Sequence, residues 1–155
     1  MKVLNIILNK ELKGHKDIKL EIQSGDFIKI SDSYWFHSLP DYENFTVFEL
    51  FALNLKVLKD HIGQMKIGET FFFPFELNDQ SAGFICFKKV SKNGKINIYY
   101  VQSITKVGSE ISPMFSPEFN LHFDDYFMIE FGGLCELNDL ISDLERIIAS
   151  ILSAA

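Results

Sequence analysis

The stretch "GFICFKKVSKNGKINIYYVQS", residues 83–103, decides the fold because it contains two apolar segments joined by a short polar turn. Asn93-Gly94 is typical of a two-residue hairpin turn, since both residues adopt positive φ at little cost. The β-branched and aromatic side chains on either side favour extended backbone. We therefore predict an antiparallel hairpin here, and we expect an antiparallel sheet around it.

The segment before this hairpin, "ETFFFPFEL" at residues 69–77, also has the alternation of a strand. A strand would place Phe71, Phe73, Phe75 and Leu77 on one face. Pro74 cannot donate a ladder hydrogen bond, so the strand is predicted to lie at an edge or to contain a bulge.

The N-terminal third predicts a second group of strands. Residues 3–8 read as a short buried strand, and "KDIKLEI" at 16–22 alternates apolar and charged side chains. That alternation predicts Ile18, Leu20 and Ile22 on a buried face. "SGD" at 24–26 then predicts a turn into "FIKI" at 27–30, the expected hairpin partner.

Two stretches have helical spacing. The first runs from Asn44, a candidate N-cap, to Ile62, with Gly63 as the stop. Phe45, Leu50 and Leu53 widen its apolar face, which predicts a helix covered on more than one side.

The second helix is predicted for residues 138–152. Its apolar positions, three and four apart, form one stripe: Leu137, Leu140, Ile141, Leu144, Ile147, Ile148, Ile151 and Leu152. The opposite, solvated side is predicted to carry Asp139, Ser142, Asp143, Glu145, Arg146 and Ser150. Strands grouped into hairpins with two separate helices indicate an α+β fold, a mainly antiparallel sheet packed with a mid-chain helix and a C-terminal amphipathic helix. We expect a single domain, 1–155.

Composition sets further limits. Charged residues make up 23% of the chain and hydrophobic residues 47%, values typical of ordinary globular proteins. Cys86 and Cys135 lie among apolar neighbours, which favours reduced core thiols over a disulfide. The sequence contains no apolar run near the length of a membrane span. We therefore expect a cytoplasmic protein without membrane contact.

The charge is distributed unevenly. Residues 109–155 contain nine acidic residues and one basic residue, whereas residues 1–108 contain twelve acidic and fourteen basic residues. The net charge of -6 therefore arises in the C-terminal third. A chain of this kind lacks the clustered Lys and Arg that nucleic-acid binding requires. The asymmetry instead favours a basic protein partner.

The stretch "FDDYFMIEFGG", residues 123–133, lies within this acidic third. As a strand ended by Gly132-Gly133, it would place Phe127, Ile129 and Phe131 on a core face, with Asp125 at its end. The other face would combine carboxylates with Tyr126 and Met128, and aromatic residues and Met are enriched in protein interfaces. The predicted partner-binding residues are Asp124, Asp125, Tyr126 and Glu130, together with Glu118 and Trp35. Trp35 fits two interpretations, a plug at the end of the core or an exposed anchor.

Little in the sequence indicates catalysis. His122 and Asp124 form an H-x-D pair, but the spacing supplies no third ligand. No nucleophile elbow, phosphate loop or C-x-x-C motif occurs. We predict no enzyme activity, no catalytic residue, no metal and no cofactor.

The order of features is similar to that of the immunity proteins of bacterial contact-dependent growth inhibition systems. An early strand pair precedes Tyr34-Trp35 and Asp41-Tyr42, and a helix, an aromatic-rich sheet, an acidic segment and a C-terminal helix follow. The resemblance implies a small cytoplasmic protein that neutralises a cognate toxin, often a basic nuclease, by tight one-to-one binding.

Two alternatives stay open. The chain could be a small apolar ligand-binding module, with a Phe-lined sheet closed by the helix at 44–62, and a large apolar pocket would favour that function. It could also be a hydrolase or metal enzyme that uses His122 and Asp124, which metal analysis of the purified protein would reveal.

Overall fold

A computed structural model describes residues 2–12, 15–33, 44–77, 81–103 and 127–154. Two antiparallel sheets and two long helices make up the described chain, which confirms the α+β fold. Contacts group the chain into two compact units, Met1–Lys59 with Asn138–Ala155, and Asp60–Leu137. We call these unit 1 and unit 2. The single-domain assignment stays a prediction.

Unit 1 contains a three-stranded antiparallel sheet in the order β1-β2-β3. The strands are β1 (Leu4–Leu8), β2 (Ile18–Ile22) and β3 (Phe27–Ser31). The side chains of Ile18, Leu20 and Ile22 are fully buried, as the alternation predicted. A short 3-10 turn, Gln23–Gly25, joins β2 to β3 at the predicted turn.

Helix α1 spans Val47–Gln64 and begins three residues later than its predicted N-cap, Asn44. The backbone N–H of Glu49 donates to the Thr46 hydroxyl at 3.1 Å, and the Thr46 N–H donates to the Glu49 carboxylate at 2.9 Å. This reciprocal pair is a capping box, which satisfies two donors at once. The prediction of Asn44 as the cap was therefore wrong. The helix also continues one residue past Gly63.

Replacing Thr46 with alanine is expected to lower the free energy of unfolding by about 1 kcal/mol, because it removes the side-chain half of the capping box. The matched control is Asn44→Ala, which changes an exposed residue outside α1. We expect that control to change stability by less than about 0.5 kcal/mol. Urea denaturation of both variants measures the difference. Equal losses would contradict the assignment of Thr46 as the cap.

The apolar face of α1 is narrower than predicted. Leu50, Phe51 and Leu55 are buried, whereas Phe45 and Leu53 are exposed by 41% and 39%. Because Phe45 precedes the helix and Leu53 lies on its solvent side, neither widens the buried stripe. The prediction for these two residues was wrong.

Helix α2 spans Leu137–Ala154 and buries Leu140, Leu144, Ile147, Ile148 and Ile151. Asp143, which the sequence placed on the solvated side, is also buried, with 7% of its surface exposed. Leu152, predicted to be buried, is instead 41% exposed. The buried face of α2 therefore includes Asp143 and excludes Leu152, contrary to the prediction. Asp143 lies three residues after Leu140 and four before Ile147, in the middle of the buried face.

Unit 2 contains a four-stranded antiparallel sheet in the order β4-β5-β6-β7. The strands are β4 (Thr70–Leu77), β5 (Ala82–Lys89), β6 (Lys95–Ser103) and β7 (Phe127–Glu136). The β5–β6 hairpin predicted from residues 83–103 is confirmed, but the two-residue turn is not: the Val90 N–H donates to the Lys95 carbonyl, so the loop comprises residues 91–94, and Gly94, with φ 81°, has positive φ whereas Asn93 does not. The prediction that Pro74 lies in an edge strand or at a bulge is also confirmed, because β4 is an edge strand and its register shifts between Pro74 and Glu76.

The predicted break at Gly132-Gly133 does not occur, and β7 continues through both glycines to Glu136. A Cβ atom at Gly132 would lie 3.1 Å from Cδ1 of Tyr99, on the neighbouring strand. A side chain at position 132 would require the half-buried Tyr99 ring to shift by a few tenths of an ångström, so glycine allows β7 to pack close to this ring.

Cys86 and Cys135 are both buried thiols, as predicted. Burial raises the pKa of the Cys86 thiol to about 12, so the reactive thiolate is disfavoured at neutral pH. Within the described ranges, neither α1 nor α2 is long and apolar enough to cross a membrane.

Candidate protein-binding surface

Strand β7 lies at one edge of the unit 2 sheet and contains a bulge. Tyr100 pairs with Phe131 but the next residue, Val101, pairs with Ile129, so Glu130 is the extra residue. A bulge bends a strand and redirects its side chains. Ile129 is consequently 55% exposed, and the prediction that it lies on a core face was wrong.

The sheet register brings residues from distant parts of the chain into one row. Glu76 pairs with Gly83, Gly83 with Gln102, and Gln102 with Met128. Residues directly opposite each other share a face of the sheet. Met128 is 59% exposed at the end of this row, and Glu76 and Gln102 are half-buried. Sequence reasoning missed Glu76, whose only signal was its place two residues after Pro74.

Tyr100 links this row to Glu130. Its ring is fully buried and meets Phe75 edge-on at 6.2 Å between ring centroids. Burial raises the pKa of Tyr100 well above its ordinary value, and the negative charges of Glu76 and Glu130 raise it further. Both carboxylates therefore act on the same hydroxyl group. We call Glu76, Gln102, Met128 and Glu130 the β7 surface, whereas Ile129 pairs with Val101 and is directed to the opposite face of the strand.

Glu130 is the one predicted partner-binding residue that the structure describes, and it is exposed. The others lie outside the described residues: Glu118, Asp124, Asp125, Tyr126 and Trp35. The two interpretations of Trp35 therefore stay open. His122 lies outside the described residues as well, so the H-x-D pair has no described geometry.

Several acidic residues of the segment 109–155 already have partners. Lys95 forms an ion pair with Glu136, and Lys59 lies 3.6 Å from Glu145. Asp143 is buried and accepts hydrogen bonds from backbone N–H groups. These contacts lower the negative charge available to a partner. Among the described residues, Glu130 and Glu76 are the acidic members of the β7 surface, while Asp139 and Glu145 lie on α2.

One cavity, of about 130 Å³, lies in unit 1 between β1, Phe48 of α1 and the C-terminal half of α2. Its lining contains no phenylalanine of the β4–β7 sheet. It is therefore not the pocket that a Phe-lined ligand-binding module would use.

No protein-family model, curated protein or solved structure matches this chain. The class that the structure defines is thus an α+β protein with two antiparallel sheets. The resemblance to immunity proteins stays a prediction.

Proposed function

We propose that this protein is a non-catalytic inhibitor that binds a cationic protein through the β7 surface, in the manner of an immunity protein that neutralises a toxin. The observation that supports the proposal is that Glu130 and exposed Met128 lie on the bulged edge strand β7, in a row that Glu76 joins from β4 across the sheet. A basic nuclease-type toxin is the partner whose chemistry fits this surface.

Charge and apolar area would contribute to binding of this partner in different ways. Carboxylates speed the encounter with a cationic partner and oppose an anionic one. Met128 supplies exposed apolar area of adaptable shape. Because 59% of Met128 is exposed, its full burial by a partner would contribute roughly 1 to 2 kcal/mol. A partner that covers Met128 would therefore be bound by more than electrostatics.

A genetic experiment tests this function. We expect a neighbouring gene to encode a protein with a cationic, toxic C-terminal domain. Expression of that domain should stop growth, and co-expression of this protein should restore it with formation of a one-to-one complex. A neighbouring toxin whose effect this protein does not relieve would contradict the proposal, as would neighbours that encode no cationic domain.

Replacing Glu130 with lysine is expected to slow association with that cationic domain by about tenfold at low salt, because it reverses the charge next to Met128. The difference should shrink as salt is added. The melting temperature should stay nearly unchanged, since Glu130 is exposed. Stopped-flow or surface plasmon resonance kinetics measure the rate.

Glu11→Lys is the matched control, because Glu11 is an exposed carboxylate of unit 1 and gives the same change in net charge. A specific role for the β7 surface predicts an association rate close to that of the wild type. If both variants slow association equally, net charge and not this surface governs the encounter.

A further inference from the structure

The three strands of unit 1 form a sheet with one buried face and one outer face. The buried face contains Ile18, Leu20 and Ile22 of β2, which are fully buried. Side chains alternate along a strand, and residues directly opposite each other share a face. The outer face therefore consists of two rows, each taken from β1, β2 and β3 in that order: Ile7, Lys19 and Ile30 in the first row, and Asn5, Glu21 and Ile28 in the second.

Isoleucine occupies three of the six positions on this outer face. Ile28 and Ile30 are each 51% exposed, and Ile7 is 45% exposed. Lys29, between the first two, pairs with Leu20 and therefore lies on the opposite face. Strand β3 thus directs its isoleucines to solvent, although a sheet with one solvated face usually directs its polar residues there. Apolar side chains grouped on an exposed face are typical of an interaction site.

The centre of the outer face carries one ion pair. Nζ of Lys19 lies 2.9 Å from Oε1 of Glu21, and both residues belong to β2, the middle strand. The two charges cancel, so the six residues carry no net charge. A partner with charges of a single sign would gain little attraction here, because complementary charges are what favour an encounter. The surface that fits combines isoleucine with one positive and one negative group, and this protein carries such a surface itself.

We propose that the outer face binds a second copy of this protein, with the two sheets packed face to face. The two-fold axis lies between the sheets, perpendicular to β2, and passes midway between Lys19 and Glu21. Rotation about this axis places the first row of one copy on the second row of the other. Lys19 then faces Glu21 of the second copy, and Ile30 faces Ile28 of the second copy. An isologous contact of this kind is complementary to itself.

The charges favour this axis over the one parallel to β2. The parallel axis would place Lys19 on Lys19 of the second copy and Glu21 on Glu21 of the second copy, and like charges in contact oppose binding. The perpendicular axis instead forms a ring of four alternating charges. The ion pair within each copy is compatible with this ring, because an ammonium group has three donors and a carboxylate accepts several hydrogen bonds.

The size of the outer face determines how tightly the two copies bind. Three strands about 4.8 Å apart, with five residues each at about 3.3 Å per residue, cover roughly 15 by 17 Å. A standard stable interface buries about 800 Å² per partner, which is considerably more. We therefore expect a weak dimer, with a dissociation constant on the order of 10⁻⁴ M. The proposal uses unit 1 alone and does not depend on the proposed function.

Sedimentation equilibrium provides the first test, at protein concentrations up to about 1 mM, which is tenfold above the expected dissociation constant. Ile30→Asp should raise that constant at least about tenfold, because each dimer would then bury two carboxylates against isoleucine. Ile67→Asp is the matched control, since Ile67 is also 51% exposed but lies in unit 2. It should leave the constant unchanged, and circular dichroism confirms that both variants fold. A wild-type protein that stays monomeric, or equal effects of the two substitutions, would overturn the proposal.

A charge exchange on β2 provides the second test and identifies the axis. Lys19→Glu gives two facing pairs of carboxylates in the dimer, and Glu21→Lys gives two facing pairs of ammonium groups. Each variant alone should therefore be monomeric under conditions where the wild type dimerises, whereas an equimolar mixture of the two should associate. The double variant, Lys19→Glu with Glu21→Lys, should dimerise like the wild type. Single variants that still dimerise, or a mixture that stays monomeric, would refute the contact between Lys19 and Glu21 of the second copy.

Discussion

Replacing Asp143 with alanine is expected to lower the free energy of unfolding by about 3 kcal/mol. The carboxylate oxygen Oδ2 accepts hydrogen bonds from the N–H groups of Val3 and Leu4, at 2.6 and 2.9 Å. Oδ1 lies 3.4 Å from Nη2 of Arg146. Alanine would leave these buried donors without an acceptor, and a buried donor that has lost its partner costs more than the bond itself contributed.

The matched control is Glu145→Ala, two residues further along α2. Glu145 is also a carboxylate with a basic partner, Lys59, but 60% of its side chain is exposed. An exposed pair of this kind contributes less than about 1 kcal/mol. Chemical denaturation monitored by circular dichroism compares the two. Similar losses for both would show that Asp143 acts as a surface charge and not as a buried acceptor.

The Asp143→Asn variant separates the contribution of the carboxylate charge to stability from that of its hydrogen-bond acceptors. The amide oxygen of asparagine can still accept one backbone N–H, but the charge is lost and the NH₂ group cannot accept. We expect a loss of stability about half that of the alanine variant. A loss as large as that of alanine would indicate that charge, rather than the number of acceptors, stabilises the end of β1.

The parts of the fold that depend on neighbouring residues could be predicted from the sequence. The β5–β6 hairpin follows from Asn93-Gly94 and the alternation around it, which need no knowledge of the remaining chain. The alternation of apolar and charged residues likewise predicted which face of β2 is buried. The bulge at Pro74 could be predicted because proline removes a donor wherever it stands.

The role of Asp143 could not be predicted in full, although part of the signal was present. Its spacing from Leu140 and Ile147 places it on the buried stripe, which simple hydrophobicity overlooked. What the spacing cannot supply is its partner, because the N–H groups of Val3 and Leu4 are about 140 residues away in the chain. A buried carboxylate needs such donors, and only the tertiary fold brings them together.

The candidate site was predictable to a similar extent. The exposure of Glu130 follows from its polar character, but the exposure of Ile129 follows from a bulge whose position depends on pairing with β6. Glu76 joins the surface through pairing across β5 and β6. A one-residue change in register would send it to the opposite face. Sequence alone therefore indicates the charge of the surface but not its members.

Replacing Gly83 with alanine is expected to lower the free energy of unfolding by roughly 2 to 3 kcal/mol. A Cβ atom there would overlap the Tyr100 hydroxyl oxygen and lie 3.0 Å from Cζ of the same ring. The ring cannot move away easily, because it is fully buried and packs against Phe75. The new methyl group must therefore displace a side chain that the core holds in place.

Gly63→Ala is the matched control, since a Cβ atom at Gly63 meets nothing within 4 Å and the residue lies within α1. We expect that variant to be as stable as the wild type or more stable by up to about 1 kcal/mol, because alanine favours the helix. The two glycine variants should thus change stability in opposite directions. The same direction and size for both would show that steric overlap at Tyr100 is not the cause.

A double-mutant cycle with Tyr100→Phe isolates that overlap. Removing the hydroxyl removes the atom nearest to the new methyl group, although Cζ remains. The double variant should therefore be more stable than the sum of the single changes predicts, by about 1 kcal/mol, since residues in direct contact couple by about this amount. Thermal or urea unfolding of the four proteins measures the coupling. Strict additivity would mean that the backbone of β5, rather than the Tyr100 hydroxyl, resists a side chain at position 83.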